Sequence, residues 1–517
     1  MTITVVPTVE DGCLMVRGKV VLTHVPGNIL VSPVGTWSAF LGATFTIPSS
    51  RNVFTLGILR GYRLLSLLRV KTWWMIPRVG KSASDIPVET QLLLLEAREE
   101  SSLRNEMYSE DPTTENTFYI LFLPVLDGQF RSTLQGTSSN ELQFCIESGD
   151  ADVQTSQSIE AVIVNSGDNP FELIWDSIKI LEEHKGTFCH VENKKISLHL
   201  NWFGWCTWDA IYTEVSPQGT REGLQSLLNR GFSPKSIIID GEWQETLNEF
   251  LKESAPIFEG THHRTHIFRR ILGLIGFPLK NKTTHLSNLI HYSDKILKKL
   301  ALPDGSVLRA RYADLPTRDC LFENHLMDGK SLLKIWNLNM LTGVVGVFNF
   351  QGLKSLEAEP RRITISGKVS SLDVEFLQEI AGENWNEECV VYAFNAGLLS
   401  KLPRRGKLEV SLETLQCEIY TVSPIRVFGH DFQIAPIGLL DMYNSGEAVE
   451  AMDCTMDAAQ CIIKIRCRGC GRFGAYSNVR PKHCMVDKKE EEFFYNSEDG
   501  LLTIKFDGEA DSKNIEL

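Results

Sequence analysis

Residues 201–240 follow the order strand, helix, strand, and this order limits the fold more than any other feature of the chain. The aromatic-rich run 201–208 predicts the first strand. The run 237–239 consists of three isoleucines and predicts a buried second strand that ends at Asp240. A β–α–β unit implies parallel strands, and functional side chains collect at the C-terminal ends of such strands.

The intervening helix has a sequence signal at each end. Ser216 suits the N-cap, Pro217 suits the first helical position, and Gly231 suits the C-terminal cap. An apolar face is predicted from the spacing of Leu224, Leu227 and Leu228.

Long β-rich regions lie on both sides of this unit. Short alternating or β-branched runs recur between turn signals, which is typical of a β-sandwich. In the first region the predicted strands are 14–24, 54–79, 90–95, 118–126, 142–147 and 159–164. In the last region they are 331–337, 344–350, 407–412, 417–422, 432–437, 461–467 and 501–506.

A helix separates the first β-region from the α/β unit. Asn169 suits its N-cap and Pro170 its first turn. Its apolar positions are Phe171, Ile174, Trp175, Ile178 and Leu181. The predicted organisation is therefore an N-terminal β-domain over 1–165, a linker helix over 166–199, an α/β region over 200–325 and a C-terminal β-domain over 326–517.

Composition excludes several classes of protein. The chain has 517 residues, 65 acidic and 52 basic, for a net charge of −13. A phosphate-tracking nucleic-acid binder needs a basic surface, so we expect no nucleic-acid partner. The twelve cysteines are scattered, the first residues lack a secretory pattern, and no apolar run is long enough to span a bilayer. We expect a cytoplasmic protein without a membrane partner.

Tryptophans and carboxylates flank the two predicted strand ends. Aromatic faces cover the apolar face of a pyranose, and carboxylates accept hydrogen bonds from its hydroxyl groups. This pattern predicts a sugar site, and the alternative is that the tryptophans serve as core anchors. The candidate sugar-binding residues are Trp205, Trp208, Asp209, Asp240 and Trp243.

Two other motifs suggest metals only weakly. The pair Cys467 and Cys470 lacks the two further ligands at the spacing that a zinc site needs. The cluster of His262, His263 and His266 lacks a nearby acidic or cysteine ligand. Neither a phosphate-binding glycine loop nor a serine-hydrolase elbow is found in the sequence.

At this point the motifs resemble a known family, the plant raffinose synthase, seed imbibition protein and alkaline α-galactosidase group of glycoside hydrolase family 36. In the α/β region the similar segments are 202–210 (WFGWCTWDA), 213–219 (TEVSPQG) and 237–240 (IIID). In the N-terminal region they are 73–80 (WWMIPRVG) and 122–128 (FLPVLDG). Beyond residue 300 they are 302–308 (LPDGSVL), 316–322 (PTRDCLF), 328–337 (DGKSLLKIWN), 436–439 (PIGL), 442–446 (MYNSG) and 471–476 (GRFGAY).

The resemblance implies an N-terminal β-domain, a central (β/α)8 barrel and a C-terminal β-domain. It implies retaining chemistry, in which one carboxylate attacks the anomeric carbon and a second carboxyl acts as acid and then as base. The galactosyl group passes from galactinol to sucrose, or to water in the α-galactosidases. The implied partners are therefore small sugars, and the motifs fit transfer and hydrolysis equally well. The resemblance implies no metal or organic cofactor, since both half-reactions need only carboxyl groups and an acceptor.

The chain departs from the family pattern in the segments that carry the family's catalytic and sugar-binding residues. We find neither the family's nucleophile segment nor its acid/base segment, so no catalytic residue is carried over. In addition, Gly241 follows Asp240 where the family has a second aspartate.

Length gives an independent reason to expect an incomplete barrel. A (β/α)8 barrel takes about 250 residues, but the family-like sequence resumes at Asp294, and an atypical basic, histidine-rich stretch fills 261–293. We therefore predict that much of the barrel is missing, through truncation, aberrant splicing or an erroneous gene model. A catalytically inactive, galactoside-binding family member is the alternative to an active enzyme.

Overall fold

A computed structural model describes most of the chain as two units. The described residues are 6–70, 75–98, 117–207, 216–239, 294–312, 315–325, 328–352, 362–429, 431–457, 460–506 and 512–517. The first unit comprises residues 1–195 with 321–323, and the second comprises 196–320 with 324–517. Both units are built mainly of β-strands, as the sequence predicted, and the described residues include few helices.

The described residues of the first unit contain thirteen strands that are joined by antiparallel pairing into one sheet. The strands are β1 (Thr8–Glu10), β2 (Cys13–Val16), β3 (Lys19–Thr23), β4 (Ile29–Pro33), β5 (Ala39–Ser49), β6 (Arg51–Leu59), β7 (Arg63–Leu68), β8 (Ile76–Gly80), β9 (Thr90–Arg98), β10 (Thr117–Pro124), β11 (Arg131–Gly136), β12 (Glu141–Glu147) and β13 (Thr155–Gly167).

The strands of this sheet are not in chain order. The sequence of neighbours is β1-β2-β3-β6-β12-β11-β9-β10-β13-β5-β4, and β7 joins β8 to β9. Alternation along the strands places one set of side chains in the core, as in β7, where positions 64, 66 and 68 are buried. Fully buried members of this core include Leu14, Leu56, Leu93, Ile120, Phe122, Leu134 and Phe144.

Helix α1 (Pro170–Lys185) begins where the sequence predicts. The Asn169 side chain accepts hydrogen bonds from the backbone N–H groups of Phe171 and Glu172, and Gly186 ends the helix in the left-handed conformation. Leu181 packs with Phe40 of β5 and Ile163 of β13, so the apolar face of the helix covers the sheet.

The second unit contains the remaining strands. They are β14 (Gly204–Cys206), β15 (Ser236–Ile238), β16 (Leu315–Pro316), β17 (Leu333–Leu338), β18 (Gly343–Phe348), β19 (Thr364–Ser370), β20 (Trp385–Ala393), β21 (Leu398–Leu402), β22 (Lys407–Glu413), β23 (Cys417–Phe428), β24 (Phe432–Leu439), β25 (Val449–Asp457), β26 (Gln460–Arg468), β27 (Gly471–Ser477), β28 (Met485–Val486), β29 (Lys489–Glu490), β30 (Phe493–Tyr495), β31 (Leu501–Phe506) and β32 (Ser512–Glu516).

Two sheets form the main core of the second unit. A ten-stranded sheet runs β16-β17-β18-β23-β24-β27-β31-β30, with β20 paired to β23 and β21 to β20. A five-stranded sheet runs β25-β26-β32-β28-β29. Ile434, Phe473 and Ile504 of the larger sheet share a core with Ile463 and Ile515 of the smaller one. Strands β19 and β22 form a separate pair.

Among the described residues of the second unit, the helices are α2 (Pro217–Asn229), α3 (Asp294–Leu300) and α4 (Leu377–Ala381). Short 3-10 helices across the chain cover Ala83–Asp85, Val191–Asn193, Leu198–Asn201, Arg318–Cys320, Ser371–Asp373 and Ser445–Ala448. None of the described helices is long and apolar enough to cross a membrane.

Strands β14 and β15 with α2 form the β–α–β unit that the sequence predicts. The strands are parallel, and Ser216 caps α2 by accepting a hydrogen bond from the N–H of Gly219. Leu227 is buried, whereas Leu228 is 44% exposed and does not belong to the predicted apolar face. Within the described ranges this is the one parallel strand pair, so those ranges contain no closed (β/α)8 barrel.

Candidate functional site

The register of β14 and β15 defines the edge at which the sugar site is predicted. Trp205 lies opposite Ile237, and Cys206 lies opposite Ile238. Because the strands are parallel, the chain leaves both at the same edge, after Thr207 and Ile239. Of the candidate site residues, Trp205 is described; Trp208, Asp209, Asp240 and Trp243 lie outside the described residues.

Trp205 belongs to the small core of the β–α–β unit. Its side chain is 5% exposed and packs with Leu227 of α2, Phe232 and Leu297 of α3. The indole Nε1 has no hydrogen-bond acceptor among the described residues. Trp205 therefore has a packing role in this core, and its contact with a sugar stays a prediction.

We expect Trp205→Phe to lower the free energy of unfolding by about 1–2 kcal/mol, because a smaller ring fills the same site and no described hydrogen bond is lost. Urea unfolding measures this loss, and titration with galactinol measures sugar affinity. Trp37→Phe is the matched control, since Trp37 is 42% exposed in the first unit. A large loss of affinity without a loss of stability would instead identify Trp205 as a sugar contact.

The second strand is not buried, and in this respect the sequence prediction was wrong. Ile237, Ile238 and Ile239 are 41%, 61% and 53% exposed. The physical reason is that β15 pairs with β14 on one side, and no described strand pairs with its other side. A complete parallel barrel buries such a strand between two neighbours and a helical layer.

A tight turn holds the start of β14. The Phe203 N–H donates to Gly305 O at 2.7 Å and the Val307 N–H donates to Asn201 O at 3.0 Å. The side chains of Leu302 and Leu308, at the two ends of this turn, enter the core shared by the two large sheets. The family-like segment 302–308 therefore attaches the β–α–β unit to the β-core.

The family-like segments 316–322 and 328–337 are joined by an ion cluster in which Lys334 and Asp373 are largely buried and Asp319 is exposed. Lys334 Nζ lies 2.8 Å from Asp319 Oδ2 and 2.6 Å from Asp373 Oδ1. Burial opposes the charge on Lys334, but the two carboxylates outweigh it and raise the pKa of the ammonium. Beside the cluster, Arg318 holds the buried Glu375 with two hydrogen bonds. These charges are structural, because each one has a partner within the fold.

Sequence reasoning missed a group of arginines near the N-terminal edge of β14. A cavity of about 300 Å³ lies there, lined by Asn201, Val307, Arg309, Met340, Glu447, Val449, Glu450, Arg466 and Arg468. We call it the arginine pocket. The available signal was alternation, since Arg466 and Arg468 are two positions apart on β26 and share one face of that strand.

No group of three or more histidine, cysteine, aspartate or glutamate side chains is placed to hold a metal ion within the ranges that the structure describes. The pair Cys467 and Cys470 belongs to those ranges, and neither cysteine forms a disulfide bond there. The histidines at 262, 263 and 266 lie outside them.

Comparison with known proteins finds one family along most of the chain. The profile described as "Raffinose synthase or seed imbibition protein Sip1" matches residues 7–271 and 284–506. The unmatched residues between these ranges fall within the stretch 261–293, which the sequence marks as atypical.

Individual relatives carry related names. The chain is 27% identical to "Probable galactinol--sucrose galactosyltransferase 6" of Arabidopsis thaliana, over 98% of each chain. It is 24% identical to "Galactinol--sucrose galactosyltransferase" of Oryza sativa subsp. japonica, over 98% of this chain and 96% of the rice protein. "Stachyose synthase" of Pisum sativum is 33% identical over 40% of this chain and 22% of the pea protein.

In the long alignments, the relative is longer than this chain within the aligned region. The alignment with the Arabidopsis protein extends over 736 residues, whereas the whole chain has 517. The aligned part of that relative therefore includes many residues that have no counterpart here.

Proposed function

Because the chain belongs to the raffinose synthase and seed imbibition protein family, we propose that it transfers a galactosyl group from galactinol to sucrose. The observation that carries this proposal is the family match, which includes the β–α–β unit as well as both β-rich regions. The names of the Arabidopsis and rice relatives support the same donor and acceptor.

The proposed mechanism is a retaining double displacement. A carboxylate attacks the anomeric carbon of the galactosyl group while a carboxyl group protonates the leaving oxygen. In the second half-reaction the deprotonated carboxyl takes the proton of a sucrose hydroxyl, whose oxygen attacks the anomeric carbon and displaces the first carboxylate. Both steps use carboxyl groups and a sugar hydroxyl, so the scheme requires no metal or organic cofactor. Asp209 and Asp240 are the carboxylates that we propose to contact the sugar.

The register of the β–α–β unit supports this pairing of carboxylates. Asp209 and Asp240 follow in sequence the neighbouring ends of β14 and β15, where Cys206 lies opposite Ile238. Neighbouring strands are about 4.8 Å apart, which is within the span of one sugar ring. Trp208 and Trp243 are the aromatic side chains that we propose to cover its apolar face.

A second function, galactoside binding without turnover, is favoured by two observations. The aligned relatives have many residues that this chain lacks, and the isoleucines of β15 are left exposed. Both fit a family member that has lost part of its catalytic barrel. Hydrolysis is the close variant of the first proposal, with water as the acceptor.

We propose a domain organisation together with the function. We infer a sandwich-like β-domain over 1–165, a linker over 166–199, a partial (β/α)8 barrel over 200–325 and a β-domain over 326–517. We place the protein in the cytoplasm, with small sugars as its partners.

The test supplies galactinol to the purified full chain with and without sucrose and follows raffinose and free galactose. We expect raffinose only when sucrose is present. Asp240→Asn should lower kcat/KM about 10- to 150-fold, as the loss of a hydrogen bond from a charged group to substrate predicts. Asp152→Asn, an exposed change in the first unit, should have no effect.

Each other outcome selects a different function. Free galactose with or without sucrose identifies a hydrolase. Galactinol binding that Asp240→Asn weakens, without any product, identifies the non-catalytic function. A folded chain that neither binds galactinol nor turns it over contradicts all three.

A further inference from the structure

The arginine pocket lies away from the edge at which the sugar site is predicted. Asn201 precedes β14 and lines the pocket, whereas Thr207 and Ile239 mark the opposite, C-terminal edge of the parallel pair. The pocket therefore belongs to a different place in the second unit, and the galactosyl-transfer proposal assigns it no role.

Two guanidinium groups in the pocket are held by neutral acceptors. Arg309 Nε donates to Asn201 Oδ1 at 2.7 Å and its Nη1 donates to Ala310 O at 3.3 Å. Arg468 Nη2 donates to Val307 O at 3.1 Å. In the described part of the chain neither guanidinium lies within ion-pair distance of a carboxylate, although Glu447 faces both and Asp304 faces Arg468 from farther away. Each group also has further N–H donors beyond those that the fold uses.

The third arginine of the pocket, Arg466, already has an ion-pair partner. Arg466 Nε lies 3.0 Å from Glu450 Oε2, which also accepts a hydrogen bond from Ser512. The remaining carboxyl group, that of Glu447, is half-buried and has no ion pair within the described residues.

Glu447 makes the net charge of the pocket depend on pH. Burial raises the pKa of its carboxyl to about 7, partly offset by the nearby guanidinium groups, and the charges that face it are those of Arg468, Arg309, Arg311 and Glu450. Below this pKa the carboxyl is neutral and the unpaired guanidinium groups dominate. Above it, one negative charge opposes them.

We propose that the arginine pocket binds a phosphate group, either free or as the ester of a small sugar. Guanidinium forks match tetrahedral oxyanions in geometry, and a dianion matches two unpaired positive charges. A cavity of about 300 Å³ also leaves room for a small organic group beside the phosphate. Binding is strongest when Glu447 is protonated.

The first experiment is calorimetric titration of the full chain with inorganic phosphate at low ionic strength. We expect one saturable site, weakened at least about tenfold in Arg468→Met through loss of a charge-assisted contact. Arg472→Met is the matched control: it removes a positive charge that is paired with Asp441 elsewhere in the second unit, and it should leave phosphate affinity unchanged. Absence of saturation up to about 10 mM phosphate, or equal weakening by both variants, overturns the proposal.

A second variant does not depend on a loss of function. Glu447→Gln removes a charge while keeping the shape of the side chain, and it should strengthen phosphate binding at least about fivefold above pH 7. A destabilised protein would not give this gain. An unchanged or weaker affinity in Glu447→Gln overturns the role of Glu447 and the charge argument for the pocket.

Sulfate stays a dianion across neutral pH, so any pH dependence of sulfate binding comes from titration of the protein. For the unmodified chain, the affinity for sulfate should fall as the pH rises from about 6 to about 8. For Glu447→Gln, the affinity for sulfate should stay constant over this range. A hexose phosphate that binds more tightly than free phosphate identifies the ester as the ligand, and equal affinities identify the free ion. An unphosphorylated hexose that binds equally well overturns the phosphate assignment.

Discussion

We expect Lys334→Met to lower the free energy of unfolding of the second unit by about 3–5 kcal/mol at neutral pH. Lys334 donates to Asp373, and the side chains of the two residues are 10% and 11% exposed. Methionine fills a similar volume without the ammonium group, so a buried carboxylate keeps its charge and loses its partner. The cost is then that of an uncompensated buried charge, which greatly exceeds that of a lost surface ion pair.

Lys368→Met is the matched control for this change. Lys368 Nζ lies 3.8 Å from Glu409, and both side chains are mostly exposed, so we expect a change within about 0.5 kcal/mol. Urea unfolding followed by tryptophan fluorescence, to which the fully buried Trp336 of this unit contributes, compares the two variants. Equal midpoints would show that the cluster around Lys334 does not stabilise the unit.

The free energy of unfolding that is lost in Lys334→Met should also depend on pH. Burial already raises the pKa of Asp373, and removing the ammonium raises it further. A carboxyl whose folded pKa lies above its unfolded value stabilises the fold below the unfolded pKa and loses that contribution as pH rises through the folded one. The difference between the variant and the parent chain should therefore shrink in acid and be largest near neutrality. If the difference in unfolding free energy instead grew in acid, the cost could not be assigned to the Asp373 carboxylate.

Local sequence signals predicted the elements well, because caps and alternation act over a few residues. Asn169 and Ser216 cap the helices that their positions predicted, and the predicted Gly231 follows α2 with a positive φ of 83°. Alternation predicted most strands of the N-terminal region, but fewer than half of the described strands from β17 onward, where β19, β20 and β25 were missed. It could not predict how the strands pair, since β7 joins β9 and β20 joins β23 through contacts that are distant in sequence.

The candidate site was harder to predict because burial depends on neighbours that a local pattern does not contain. The isoleucines of β15 have the composition of a buried strand but lack a second neighbour among the described residues. Lys334 and Asp319 lie in family-like segments, yet their charges are used within the fold. The arginine pocket draws on residues from 201 to 468, and only the fold brings them together.

We expect Gly305→Ala to lower the free energy of unfolding of the second unit by about 2–5 kcal/mol, the sum of backbone strain and overpacking. Gly305 has φ +76°, and a Cβ added there would lie 2.1 Å from Ser233 O. That oxygen has little room to move, because Lys235, two residues further on, donates its N–H to Phe203 O at 2.9 Å. The turn must therefore separate from the strand pair, which exposes the apolar contacts that join the β–α–β unit to the β-core.

Gly329→Ala separates the two causes. Gly329 has nearly the same backbone angle, φ +73°, but no atom lies within 4 Å of an added Cβ. Its expected loss is the left-handed strain alone, about 1–2 kcal/mol. The difference between the two urea midpoints then measures the steric contact at Ser233. Equal losses would mean that the turn relaxes without separating from the strand pair. In that case segment 302–308 would not determine the position of β14, and the attachment of the candidate site to the β-core would have to come from α3 and its packing on Trp205.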